Sequence, residues 1–227
     1  DGEGGSTVYQ ARHILIATGS VPRDLPFAKA DGQAALNSDH ILELDRVPKS
    51  LVVLGAGAVG TEFASMYASF GSEVTLLEMM PRILPIEDEE VSAELAKALR
   101  KRGIKVLTGA KLTEVHRTDG GVKLAVEQGG AQLGIDAEVL LVAVGRAPVT
   151  DGLGLEALGV KVERGYVEVN QFLQTAVPHI YAIGDVINTP WLAHVASHEG
   201  IVAVEHMAGH PTRPLNYDLV PSCTYCE

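Results

Sequence analysis

Between residues 51 and 60 the chain reads Leu-Val-Val-Leu-Gly-Ala-Gly-Ala-Val-Gly, and a second apolar run, Glu73 to Leu77, ends in Glu78. Few folds accommodate that order. Val52, Val53 and Leu54 form a short apolar run suited to a parallel strand buried on both faces. Gly55 permits a tight turn out of the strand. Gly57 has no side chain to hold the backbone away from a pyrophosphate, and Gly60 lets the next helix pack closely on the strand. That helix is read with Val59, Phe63, Met66, Tyr67 and Phe70 on its buried stripe and with Gly71 at its stop. The helix start directs free N–H groups and a partial positive charge at whatever anion occupies the turn. The pattern therefore predicts a Rossmann-like α/β fold with a dinucleotide on Gly55, Ala56, Gly57, Ala58, Val59 and Gly60. Glu78 stands about 18 residues beyond the last glycine. A carboxylate there accepts from the adenosine ribose hydroxyls and repels a 2′-phosphate, so NAD is favoured over NADP.

The rest of the composition narrows the function classes. The chain has 227 residues, enough for one large or two smaller domains, and a formal net charge of −11. That charge argues against non-specific binding to nucleic acid and against an anionic membrane surface. No apolar run approaches the roughly 20 residues of a membrane-spanning helix, and the start is not signal-like. The two cysteines, Cys223 and Cys226, fit a reducing cytoplasm rather than a disulfide framework. Their C-x-x-C spacing is at most half a zinc site and does not precede a helix, so both are read as strand residues and no metal site is expected. Asp1 is not an initiator, and Pro221 to Glu227 stops without a helix end; both ends are expected to be cut from something longer.

Along the chain, His13 to Ala17 reads as a strand running into Thr18-Gly19-Ser20, followed by a proline-bearing loop, Val21 to Phe27. Asn37-Ser38-Asp39 can cap a short helix at His40 to Leu44. Glu87 to Arg102 is acidic at its start and basic at its end, as the helix dipole favours, with Val91, Leu95, Ala98 and Leu99 as its buried stripe. Lys105 to Leu107 is a third strand. Segments near 111–117, 121–128 and 131–136 predict a β-meander, and Ala137 to Val144 a buried return strand. Beyond it come a hairpin about Gly165, a strand at His179 to Ile183 and a helix from about Ala193 to Ala208. The expected organisation is a nucleotide-binding domain over 46–146, inserted between the halves of a second domain at 1–45 and 147–218. Residues 219–227 are expected to begin a third.

At this point the chain resembles the dihydrolipoyl dehydrogenases, within the flavoprotein disulfide reductases that bind two dinucleotides. The segments that carry the likeness are Ile14-Leu-Ile-Ala-Thr-Gly-Ser20, Leu54-Gly-Ala-Gly-Ala-Val-Gly60 with Glu62, and Gly71-Ser-Glu-Val-Thr75. Others are Arg82-Ile-Leu-Pro85, Val142-Ala-Val-Gly-Arg146, Ile180-Tyr-Ala-Ile-Gly-Asp-Val186, Leu192-Ala-His194, Glu199-Gly200 and Val220-Pro-Ser222. The resemblance implies that the 46–146 domain holds NAD and that the flanking segments are part of an FAD-binding domain of the same type. It implies that Thr18, Gly19 and Ser20 close on the FAD and that Asp185 accepts from a ribityl hydroxyl. Trp191, Leu192, Ala193 and His194 resemble the helix start whose N–H groups face the flavin's pyrimidine edge. Glu62 resembles the acid beside the nicotinamide, and Leu112 and Gly145 resemble residues lining the NAD site. Tyr217 to Glu227 resembles the first strand of the family's dimerisation domain.

Several family features have no counterpart in these residues: the first G-x-G-x-x-G, the redox C-x4-C, the lysine that pairs with the acid at Glu62, and the His–Glu pair. No catalytic residue is therefore expected in this chain. His194, His198 and His206 share a broad helix face and are read as surface or satisfied core. The resemblance implies a parent that oxidises protein-bound dihydrolipoamide and reduces NAD through FAD. Its implied partners are the lipoyl domain of a 2-oxo-acid dehydrogenase complex and a second copy of itself. Two other readings remain open: a related disulfide or metal-ion reductase, and a non-catalytic NAD-binding module.

Overall fold

The computed structural model describes residues 6–227. The chain divides into two compact units, one of residues 22–146 with 222–227, the other of residues up to 21 with 147–221.

In the 22–146 unit, strands β3 (Ala35–Leu36), β4 (Ser50–Leu54), β5 (Glu73–Leu77), β6 (Lys105–Leu107) and β10 (Val139–Val142) form one parallel sheet in the order β3-β10-β4-β5-β6. Period-two alternation explains why its strands are continuously apolar. Leu51, Val53, Val74, Leu76, Val139 and Leu141 face one core, against the helices. Val52, Leu54, Leu77, Leu140 and Val142 face a second core, against the antiparallel meander β7 (Ala110–Thr118), β8 (Gly121–Gln128) and β9 (Ala131–Ala137). A sheet covered on both sides has no polar face to display.

Helix α1 (Ser38–Leu42) is capped by the Asn37 side chain, which accepts from the N–H groups of Asp39 and His40. Helices α2 (Ala58–Ser69) and α3 (Glu89–Lys101) follow β4 and β5. Each departs from the stripe expected of it. On α2, Gly60, Thr61, Ala64, Ser65 and Tyr67 are buried, whereas Val59 and Phe70 are exposed and Phe63 and Met66 only half-buried. On α3, Ser92, Ala96 and Leu99 are buried and Val91 is exposed. Both helices approach the sheet through small residues, and the Ser92 hydroxyl donates to the Ile83 carbonyl. Bulk at those positions would hold the backbones apart; Tyr67 and Leu99 fill the same core, while Val59, Phe70 and Val91 lie outside it.

The sequence groups residues 22–45 with the flanking segments, whereas the structure joins them to the parallel sheet. Here Ala35 and Leu36 pair with Leu140 and Leu141 of β10, and Leu36 and Ile41 are buried in the helix-side core. The edge of a sheet is a long-range partner that local sequence does not announce. The tail 222–227 forms no strand; the N–H groups of Tyr225 and Glu227 donate to the Glu62 carboxylate and the Ser65 hydroxyl on α2 instead.

The other unit is built differently. β1 (Ile14–Ile16) and β14 (Ile180–Ala182) pair in parallel, and β12 (Val162–Glu163) and β13 (Tyr166–Val167) form a hairpin about Gly165. Helix α4 (Ala193–Met207) contributes Val195, Glu199, Val202 and Ala203 to the interior. Ile16, Leu155, Val160, Tyr181, Val186 and Ile187 complete the core. The remaining short strands, β2 (Ser20–Pro22) and β11 (Arg146–Pro148), pair with one another, and the chain passes from one unit to the other within each.

Candidate functional site

The turn between β4 and α2 separates three glycines by purpose. Gly55 has φ +100°, and a Cβ built on it would stand 2.4 Å from the Ala143 carbonyl oxygen. A Cβ on Gly60 would stand 1.9 Å from the Gly55 carbonyl oxygen. Neither position tolerates a side chain without moving backbone. Gly57 has ordinary extended geometry, φ −72° and ψ −175°, and a Cβ there would meet nothing within 4 Å. The fold alone does not demand glycine at 57. What glycine does there is leave open the approach to the start of α2. That start has no side-chain cap and no acid in its first turn, so its unpaired N–H groups are free for an anion.

Glu78, at the end of β5, is buried, and its carboxylate is fixed from two sides. Oε2 accepts from the Ala56 N–H at 2.7 Å, and Oε1 accepts from the Met80 N–H at 2.8 Å. Each oxygen retains acceptor capacity. Arg82, the nearest arginine in sequence, is committed elsewhere: it pairs with Glu89 and donates to the Pro85 carbonyl at 2.9 Å.

A cavity of about 620 Å³ opens on these groups. Gly55, Gly57, Ala58, Val59, Glu78, Leu112 and Gly145, all expected at the dinucleotide, line it. Ala56 and Gly60 are buried beneath the turn. Its volume lies in the range of small-molecule sites. Arg23, Leu25 and Phe27 also line the cavity, and sequence reasoning missed them. Glu62 lies elsewhere. It faces a separate crevice with Ser65, Met66 and the tail, and accepts from the Tyr225 N–H at 2.8 Å. In that crevice burial, with the Glu62 charge, pushes the Cys226 thiol up; Cys223 is exposed, and both thiols are free.

In the second unit two of the residues expected at a flavin, Ser20 and Asp185, meet directly. The Ser20 hydroxyl donates to Asp185 Oδ2 at 2.6 Å, and the Thr18 hydroxyl donates to the Val149 carbonyl at 2.6 Å. The Gly19 carbonyl accepts from the Val149 N–H. Gly184, at φ +71°, turns β14 into Asp185. That turn is held by Glu199, which is wholly buried: Oε2 accepts from the Gly184 N–H at 2.6 Å and Oε1 from the Tyr217 hydroxyl at 3.0 Å. Burial, reinforced by the Glu199 charge, pushes the Tyr217 phenol far up. The sequence shows Glu199 only as part of a motif; its position among buried helix residues is the one signal of this role. Trp191 donates to the Ile187 carbonyl, Leu192 precedes α4 without a side-chain cap, and Ala193 opens the helix. His194 and His198 are exposed, while His206 stacks on Phe172 and bonds the Tyr181 hydroxyl. A cavity of about 920 Å³ in this unit is lined by other residues, among them Arg164, Tyr166 and Asn188.

The sequence pattern of the family described as pyridine nucleotide-disulphide oxidoreductase matches residues 1–200. The chain is 47% identical over 225 residues to a dihydrolipoyl dehydrogenase of Rhizobium etli, covering 98% of this chain and 47% of the relative. It is 45% identical over 216 residues to one of Bacillus subtilis, covering 94% and 46%. Among solved structures, LpdA from Mycobacterium tuberculosis superimposes with a TM-score of 0.91 at 32% identity, over 99% of this chain and 48% of that one. A Cu(II) complex of a mutant of RclA, a HOCl-induced flavoprotein disulfide reductase from Escherichia coli, gives 0.80 at 30% identity, over 89% and 45%. The chain spans about half the length of the curated relatives it matches.

Proposed function

The chain belongs to the pyridine nucleotide-disulphide oxidoreductase family, and on that footing we propose that the cavity between β4, β5 and β7 is its NAD(H) site. The observation that carries this reading is the division among the glycines: two are required by the backbone, and no protein atom requires the third, Gly57, which leaves the approach to α2 open. The first-turn N–H groups of α2 hold the pyrophosphate. The Glu78 carboxylate, oriented by Ala56 and Met80, accepts from the adenosine ribose. A 2′-phosphate would meet that carboxylate with Arg82 already paired to Glu89. Calorimetric titration of the chain with NADH and NADPH tests this. NADH binds more tightly; a preference for NADPH would sink the assignment of Glu78.

The 22–146 unit is the NAD-binding domain, and residues up to 21 with 147–218 contribute to a flavin-binding domain. By resemblance, Thr18, Gly19, Ser20, Asp185 and residues 191–194 serve the FAD, Asp185 accepting from a ribityl hydroxyl and the α4 start facing the reduced ring. Glu62, which here accepts from the Tyr225 N–H, is assigned to the nicotinamide side on the resemblance alone. In a molecule that also carries what the longer relatives have, the activity is oxidation of protein-bound dihydrolipoamide to lipoamide with reduction of NAD, in the cytoplasm and as a homodimer. The lipoyl domain of a 2-oxo-acid dehydrogenase complex is its partner. Bound FAD and NAD supply the electron and hydride chemistry; these residues bind, orient and set the electrostatics. The 227-residue chain by itself gives no lipoamide-dependent NADH, since its only cysteines are Cys223 and Cys226. The likeness to RclA supports a second reading, reduction of another disulfide or of a metal ion. Turnover of dihydrolipoamide against those acceptors by the longer molecule separates the two.

A further inference from the structure

One wall of the NAD(H) cavity comes from outside the strand–turn–helix unit that carries the glycines. Pro22 to Ala28 precedes the nucleotide-binding elements, yet Arg23, Leu25 and Phe27 line the cavity they build. The segment is pinned at both ends. The Arg23 N–H donates to the Gly145 carbonyl at 2.9 Å, and Gly145 follows β10. The Ala28 N–H donates to the Leu25 carbonyl at 3.0 Å, closing a tight turn; Ala28 is buried in the meander-side core and Leu25 packs against it. Between these anchors Phe27 is 47% exposed. A turn that buries alanine and part of a leucine while leaving phenylalanine out is shaped by something other than packing. Arg23 is also exposed, and among the described residues its guanidinium has no ion pair, although the chain carries eleven more formal negative charges than positive ones.

Strand order says which half of the ligand this segment meets. The sheet runs β10-β4-β5 at the turn. Glu78 ends β5 and marks the adenosine ribose, and the glycine turn after β4 marks the pyrophosphate. The far side, after β10, is left for the nicotinamide, and there the Arg23 backbone is tied.

Resting on the NAD(H) reading, we infer that Pro22–Ala28 is a strap over the nicotinamide half of the dinucleotide. The Arg23 guanidinium pairs with the pyrophosphate from the side opposite α2, and Phe27 offers its ring face to the nicotinamide.

Titrations of the wild-type chain and of Arg23→Ala, Phe27→Ala and Phe27→Tyr with NADH and with ADP-ribose, which lacks the nicotinamide, test the assignment. Phe27→Ala weakens NADH about fivefold and leaves ADP-ribose within about twofold, the size of one aromatic contact. Phe27→Tyr keeps both. Arg23→Ala weakens both ligands about equally, by roughly tenfold, as loss of one charged hydrogen bond to phosphate requires. Equal loss of both ligands in Phe27→Ala, or no loss in either alanine variant, overturns the strap while leaving the NAD(H) reading intact. A wild-type chain that binds neither ligand overturns both. Arg23 and Phe27 are exposed, so unchanged thermal midpoints are expected and show that the variants are folded.

Discussion

The cavity of the 22–146 unit draws its glycine turn and its carboxylate from the C-terminal ends of adjoining strands in one five-stranded parallel sheet. The polar cluster of the other unit joins Ser20 to Asp185, positions 165 apart in sequence, beside a parallel pair of only two strands. In the first, backbone sterics fix the site: Gly55 and Gly60 leave no latitude. In the second, hydrogen bonds fix it, above all those of the buried Glu199. A site made by packing fails with the fold around it, whereas one made by side-chain hydrogen bonds fails one group at a time. That difference can be broken or sharpened variant by variant.

The largest effect is expected at Gly60→Ala. Its Cβ has no room, so the helix must leave the sheet, costing on the order of 3–5 kcal/mol in urea unfolding together with NADH binding. If stability survives, packing does not hold this site. Next is Glu199→Ala, which strands the Gly184 N–H and the Tyr217 hydroxyl. A loss of about 2–3 kcal/mol is expected in the unit that contains it, with NADH binding unchanged. Denaturation followed by hydrogen exchange assigns the loss to one unit or spreads it over both. Glu78→Gln retains the fold and weakens NADH by at most the roughly 1.5–3 kcal/mol of a charged hydrogen bond, read by calorimetry.

The smallest effect concerns pH. The Glu138 carboxylate is held below its ordinary range, first by the Lys49 N–H and then by Arg46, with burial opposing. A depressed acid stabilises the fold above its unfolded pKa, and that stabilisation is lost as pH falls through the folded value. Glu138→Gln should cost under about 1 kcal/mol at pH 7. The difference from wild type should narrow as pH falls below the ordinary glutamate value of about 4.3 and vanish below the folded value. A gap that does not narrow as pH falls would assign the effect to packing.

How much of this was legible beforehand follows the same division. The strand–turn–helix–strand of β4, α2 and β5 was readable because glycine spacing and apolar runs are local signals. So were the Asn37 cap and the charged ends of α3. The packed face of α2 was not. Gly60, Ala64 and Ser65 carry no hydrophobic signal, and of the bulky residues that do carry one only Tyr67 is buried. The pairing of β3 with β10 joins positions about a hundred residues apart, which no periodicity reports. Arg23 and Phe27 were hidden in a segment whose prolines announce only a loop. Glu62 was placed by resemblance, and here the tail's Tyr225 N–H engages it.

The central claim is that the Gly55–Gly60 turn serves a ligand as well as a fold, and Gly57→Ala tests it most directly. Its thermal midpoint and NADH affinity should be measured on the same preparation. Because the added Cβ meets no protein atom, stability should change by less than about 1 kcal/mol, the size of a glycine-to-alanine exchange at a helix cap. NADH affinity should fall at least about tenfold, since the methyl stands where the pyrophosphate approaches. Unchanged affinity in a folded Gly57→Ala chain would contradict the account.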